Sequence, residues 1–260
     1  MKILVFVAHP DDETVFTGGT LALLARAGGA VHYLLATRGE GGEMGEPQLC
    51  ERSDLGQQRE KEMRCAVQAL GGSGLSFLDY IDPLAGEDDQ LFPYTDDLEN
   101  LTHQLVKHIQ ALKPVAFISH GSNGEYGHPA HRISHAAASR AVDALGDTAP
   151  LFYTFSASFN EHPRPRLINK KDPAHIVVDV ASAHHQKTNA ALCHRSQNAL
   201  FVRRSSKRAG RPLTIAEVLA DVESLHRVYP PVKNGTVNDL IAQALQPWVK
   251  DFSISDSEQI

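Results

Sequence analysis

His9-Pro10-Asp11-Asp12-Glu13 places an imidazole and three carboxylates directly after an apolar run, Lys2 to Ala8, and directly before an amphipathic stretch. A histidine and an aspartate three apart on a tight turn can converge on one cation, and carboxylate oxygen with imidazole nitrogen suits zinc or a similar divalent metal. Asp11 or Asp12 could instead cap the following helix. That accounts for one acid and leaves the histidine and the other acids without a task. A dinucleotide-binding turn carries glycines here so that phosphate reaches backbone N–H groups; three acids repel phosphate and argue against that reading.

A second motif, Val115 to His135, repeats the arrangement: a buried-strand pattern followed by Gly127-His128-Pro129-Ala130-His131 at the start of another helix. Histidines three apart on a helical turn face the same side, and Pro129 suits the first helical position. In isolation, His128 would be read as a cap and His131 as a surface residue. Set beside His9 and Asp12 at a corresponding strand end, the pair reads as part of a metal site. Three protein ligands with an open position mark a catalytic rather than a structural zinc, which lowers the pKa of a bound water to roughly 7. A base for that water and a donor for the oxyanion are then required.

These motifs resemble the PIG-L or LmbE-like N-acetylglucosaminyl deacetylases. The resemblance implies His9, Asp12 and His131 as zinc ligands, Asp11 as general base, and His128 as the group that stabilises the oxyanion and protonates the leaving amine. It further implies that Glu40 (in Thr37 to Glu40), Arg59 and Asp82 contact the sugar or shape its pocket, and that His194, Ser196 and Gln197 form a late family feature. The implied reaction is removal of an N-acetyl group from a small amino-sugar substrate of the N-acetylglucosamine type. Iron(II) is the alternative metal, because a His-His-Asp triad with open positions also suits it. The family commonly has Asp between Pro and the final His, where this chain has Ala130. Such an Asp would keep a neighbouring histidine protonated, so its replacement keeps open a metal-binding member of altered activity, or a hydrolase of another amide or ester. Glu13 is left to helix-dipole or His9 support.

The elements that must position these residues read as strand, helix, strand from the first residues onward. Lys2 to Ala8 is a strand, Thr14 to Ala27 a helix stopped by Gly28-Gly29, and Ala30 to Thr37 a second strand. The rhythm continues with a helix from about Gln57 to Leu70, a strand near Leu75 to Tyr80, a helix from about Asp96 to Leu112, the strand Val115 to Ser119 and a helix from about Pro129 to Leu145. It predicts an α/β, three-layer Rossmann-like fold, a mostly parallel sheet with helices on both faces, ligands collecting at the carboxyl ends of the strands. From about residue 150 the pattern loosens. Leu151 to Phe155 and His175 to Val180 read as strands, Ala181 to Gln197 and Thr214 to Val228 as helices, Arg203 to Arg211 as a solvated basic loop, all within a single domain over 1–260. Specificity is expected in the loops 40–55, 83–95 and 156–172.

The whole chain bounds the answer. Its 260 residues suffice for a core. Three scattered cysteines suggest neither a disulfide framework nor a thiolate metal site. A net charge of −6 argues against nucleic-acid binding, and no apolar run matches a leader or a membrane span, so a cytoplasmic location is expected. A homo-oligomer stays open.

Overall fold

In the computed structural model, which describes residues 1–233 and 237–252, Lys2–Val7 (β1) is buried at every position after Lys2. That is the burial of a strand covered on both faces. Its side chains alternate: Ile3, Val5 and Val7 join one apolar cluster and Leu4, Phe6 and Ala8 the other. The strands β2 (Ala30–Thr37), β3 (Gly74–Tyr80), β4 (Ala116–Ser119), β5 (Leu151–Phe155), β8 (Ile176–Asp179) and β9 (Val222–Tyr229) complete a seven-stranded sheet in the order β3-β2-β1-β4-β5-β9-β8. The first five of these neighbours are parallel; β9 pairs antiparallel with both β5 and β8. A small two-stranded sheet joins β6 (Ala157–Ser158) to β7 (Asn169–Pro173).

The first cluster is built from α1 (Asp12–Arg26), α2 (Leu55–Ala69), α5 (His184–Cys193) and α8 (Leu240–Leu245), and the second from α3 (Leu98–Leu112) and α4 (Pro129–Leu145). Helices therefore cover both faces, as the strand and helix rhythm predicts. The strand order reverses direction between β1 and β4. In open α/β sheets that crevice, at the carboxyl ends of the strands, is where ligands bind. Both histidine motifs emerge there, one after each of these two strands.

The late half departs from the sequence reading in four places. Cys65 of α2 and Cys193 of α5 form a disulfide with Cα atoms 5.6 Å apart, against the expectation of three thiols; Cys50 alone is free. A separation of 128 residues hides such a pair from any spacing rule. The segment Arg203 to Arg211 lies mostly in a helix, α6 (Asn198–Ala209), rather than in a loop, and stops at Gly210 in the left-handed region. Arg203 on it forks onto Glu43 at 2.7 and 2.8 Å and reaches Glu46 at 2.6 Å, partners that no local pattern reveals. The expected helix from Thr214 to Val228 is one short turn, α7 (Ile215–Val218), followed by β9. Thr214 and Glu217 do form a capping box, but buried Glu223 masks the alternation of the strand behind it. The expected helix from Ala181 to Gln197 is α5 flanked by two 3-10 turns.

Glu223 has a structural task. Its carboxylate accepts hydrogen bonds from the backbone N–H groups of Gly19 (2.9 Å) and Thr20 (2.6 Å) in the middle of α1, and pairs with buried Lys187 at 2.7 Å. Arg164 donates to the carbonyl of Val15 on the same helix and to that of Val218. An external group inserted into a helix ladder fixes the helix direction at that turn. Gly19 lets the edge of the sheet approach: a Cβ there would lie 2.5 Å from that of Val180.

Candidate metal centre

Asp11 precedes α1 with φ at +122°, a backbone conformation that costs a residue with a side chain of order 1–3 kcal/mol. Its N–H is held by Glu13 Oε2 at 3.0 Å. Glu13 in turn accepts from Thr14 Oγ1 and lies 3.0 Å from Nε2 of buried His194. Glu13 thus supports Asp11 rather than His9. Neither aspartate caps the helix: Asp11 makes no side-chain cap, and Asp12 Oδ2 accepts the His9 N–H at 2.9 Å. The capping explanation of the acids is removed.

Asp12 lies at the centre of the cluster. Its oxygens face His9 Nδ1 at 3.3 Å, His131 Nε2 at 3.2 Å and His120 Nε2 at 3.5 Å. Candidate ligand atoms lie within 4.8 Å of one another in two groups, His9-His128-His131 and Asp12-His120-His131. His120 is committed elsewhere: its Nε2 accepts the Ala8 N–H at 3.0 Å and its Nδ1 faces Glu125 Oε2 at 3.0 Å. With one nitrogen accepting, the other carries the proton, so no lone pair remains for a cation. His131 is different. Glu125 Oε2 takes its Nδ1 proton at 2.7 Å, while Nε2, fully buried, has no hydrogen-bond partner. That nitrogen and Asp12 Oδ1 face each other, two electron-rich atoms that a shared cation would reconcile. The donor set, imidazole and carboxylate, fits a divalent metal.

Without a cation, protons take its place. Burial alone would lower the pKa of His9, but Asp82 and Asp12 hold it up at about 10. His131 is likewise lowered by burial and raised more strongly by Asp12 and Glu125, to about 9. Burial raises the Asp11 carboxyl to about 6 against the opposing pull of Arg59. Glu125 is pushed well below the usual carboxylate range: burial opposes this, but His120 and His131 prevail.

His128 does cap α4, its Nδ1 accepting the Ala130 N–H at 3.2 Å, and Pro129 follows at the first helical position. Burial and the neighbouring His131 and His9 lower its pKa to about 3. Ala130 is fully buried, so no carboxylate at that position offsets the loss. His128 is therefore neutral, with its proton on Nε2.

Among the residues that the resemblance assigns to sugar contacts, Asp82 lies in the cleft, its Oδ1 3.2 Å from His9 Nε2. Glu40 stands behind it and accepts the Asp82 N–H at 3.1 Å. Arg59 is 3 % exposed and turned inward, donating to the Gly39 carbonyl at 2.9 Å, to the Pro10 carbonyl and to Asp11 Oδ2 at 3.2 Å. It is the counter-ion of Asp11, with little of its surface left for a ligand.

Several residues escaped the sequence reading. His120 ends β4 on the adjoining position, and only the pairing of β1 with β4 explains why it matters. Asn169, far along the chain, donates to Glu125 Oε1 at 3.1 Å and accepts the Glu125 N–H at 3.1 Å. Tyr126, half exposed, stands edge-on to His128 and His131, with ring centroids 5.7 and 5.5 Å away. His194 and Ser196, noted only as a late feature, hold Glu13 and Glu62.

The chain is 36% identical over 162 residues to a 1D-myo-inositol 2-acetamido-2-deoxy-alpha-D-glucopyranoside deacetylase from Geodermatophilus obscurus, covering 57% of this chain and 55% of that protein. It spans about half the length of the curated relatives it matches. Two solved structures share the fold. One is an N,N'-diacetylchitobiose deacetylase from Pyrococcus horikoshii (TM-score 0.61, 19% identity, 87% of this chain and 83% of that one). The other is a 4-carboxy-2-hydroxymuconate hydratase from Pseudomonas putida (TM-score 0.59, 21% identity, 90% and 98%). A deacetylase and a hydratase on one fold leave the reaction to be argued from the site. The family model for GlcNAc-PI de-N-acetylase, PIG-L, matches residues 4–142, the stretch that carries both histidine motifs and the cleft between them. The chain belongs to the PIG-L family.

Proposed function

We propose that this protein is a metal-dependent hydrolase that removes the acetyl group from the nitrogen of an N-acetylglucosamine-type substrate. The observation that carries the reading is the buried, unpaired Nε2 of His131 facing Asp12, beside the ring of His128. His9, Asp12 and His131 would hold the cation, zinc or iron(II). When bound, it polarises the acetamide carbonyl and makes a water more acidic. Asp11 takes a proton from the attacking water; Arg59 keeps its carboxylate oriented and burial keeps it basic. His128, with Nδ1 capping α4, presents its Nε2–H to the carbonyl oxygen as charge gathers there. Because His128 is neutral, the proton for the leaving amine comes from Asp11, which has just received one. Acetate and a free amino sugar result.

The test measures amine release from N-acetylglucosamine derivatives by metal-analysed protein. Wild type should release amine with about one metal per chain. Asp11→Asn should lose about 10²-fold or more in kcat while keeping its metal, and His131→Ala should lose the metal. Unchanged turnover in both variants would overturn the assignment.

A further inference from the structure

The segment that follows β3 carries Asp82 into the cleft, and on either side of that acid it displays apolar side chains to solvent: Ile81 is 66% exposed, Leu84 58%, Leu91 39% and Phe92 37%. These four, with Tyr126 at 52% beside His128 and His131, make up half of the ten exposed large hydrophobic residues among the described residues. The loop is a closed unit. Gly86 N–H donates to the Gln90 carbonyl at 2.8 Å, the Phe92 ring packs over Gly86, and the Glu40 side chain fixes the Asp82 backbone. Beneath it, Tyr80 stacks obliquely on Tyr94, whose hydroxyl bonds Ser134 one turn beyond His131 on α4. Exposed apolar side chains flanking a polar site mark where a ligand or partner sits.

The charges at this mouth narrow the ligand further. From Ile81 to Pro93 the segment has four acids, Asp82, Glu87, Asp88 and Asp89, and no lysine or arginine. The arginines on its own side of the cleft are engaged: Arg38 pairs with Glu60 and Asp79, Arg52 donates to the Glu40 and Gly42 carbonyls, and Arg59 is buried against Asp11; across the cleft, exposed Arg132 donates its Nε to the Asn123 carbonyl at 3.2 Å. An attached phosphate or carboxylate seated on this segment would meet its acids. We infer that the substrate is an amino sugar whose attached group is neutral and apolar, an alkyl, acyl or aryl aglycone, seated on Ile81, Leu84, Leu91, Phe92 and Tyr126. This rests on the deacetylase reading and adds to it the chemistry of the rest of the substrate.

The experiment compares methyl, hexyl and phosphate-bearing N-acetylglucosaminides of one anomer with the metal-loaded protein. The hexyl compound should exceed the methyl compound by about tenfold or more in kcat/KM, the pocket gain expected from added methylenes, and the phosphate-bearing one should fall below both. Leu84→Ser/Phe92→Ser should bring the hexyl-to-methyl ratio toward one, while Leu200→Ser, an exposed apolar residue on α6, should leave the ratio as it is. Equal rates for hexyl and methyl, or a preference for phosphate, would overturn the inference while leaving the deacetylase reading intact. If no compound releases amine, the deacetylase reading fails. Calorimetric binding of hexyl glucoside, which has no acetamide, then decides the apolar seat separately: binding lost in the double variant supports it, and no binding to wild type overturns it.

Discussion

At the scale of single residues, the proposed base is tuned by opposing neighbours, and that fixes a pH dependence. Burial lifts the Asp11 carboxyl to about 6, and Arg59 pulls it back. Only the ionised form accepts a proton, so kcat/KM should fall as pH drops through about 6, not through the usual carboxylate range near 4. Arg59→Gln removes the opposing charge, so the acid limb of the pH profile should move upward; a limb that stays in place would show that Arg59 does not act on Asp11. Glu125 is the second residue with a clear consequence. It holds the Nδ1 protons of both His120 and His131, and Glu125→Gln should cost about 10–100-fold in metal affinity, measured by competition with a chromophoric chelator. The proposed ligands stand out in the sequence because histidines recur at two corresponding strand ends, one of them beside acids that a helix cap alone does not explain. Glu125 reads from the sequence only as a candidate source, with His135, of the charge that Ala130 lacks; Asn169 and His120 do not stand out, since their work is done on residues that the fold brings near.

At the scale of elements, α1 carries Asp12 on its first turn and is anchored mid-length by Glu223. That carboxylate shares buried space with Lys187. Removing one partner of a buried pair leaves an uncompensated charge, at a cost of about 3–5 kcal/mol, whereas replacing both by neutral side chains of similar size is much milder. Glu223→Gln should accordingly lower unfolding stability in urea far more than Lys187→Met/Glu223→Gln. The opposite order would mean that the pair does not hold the helix. The strands and helices up to α4 could be read from the sequence because Gly and Pro punctuate strong apolar periods. Past β5 the inward faces mix Glu223, Lys187 and Asn169 with apolar residues, so the period weakens and β9 reads as a helix.

For the whole molecule, the sheet order brings both motifs to one crevice, and the disulfide of α2 with α5 ties the helix bearing Arg59 to the segment bearing His194. The mostly parallel core followed from sequence; the strand order that sets the switch point, and this cross-link, did not. No helix among the described residues is long and apolar enough to cross a membrane. The cluster of carboxylates around His9 and His131 also makes the protein a reservoir of protons. With no cation bound, both histidines keep their extra proton at neutral pH, their pKa values lying at about 10 and about 9. Loading a divalent cation must expel them, about two protons per chain. Metal uptake by this protein is then an acid-producing reaction: a pH-stat should record the release at pH 7, and the apparent heat of binding should shift with the ionisation enthalpy of the buffer chosen. A titration that liberates no acid would mean that the ligands were already bare, and that the carboxylates around them do not hold the protons ascribed to the site.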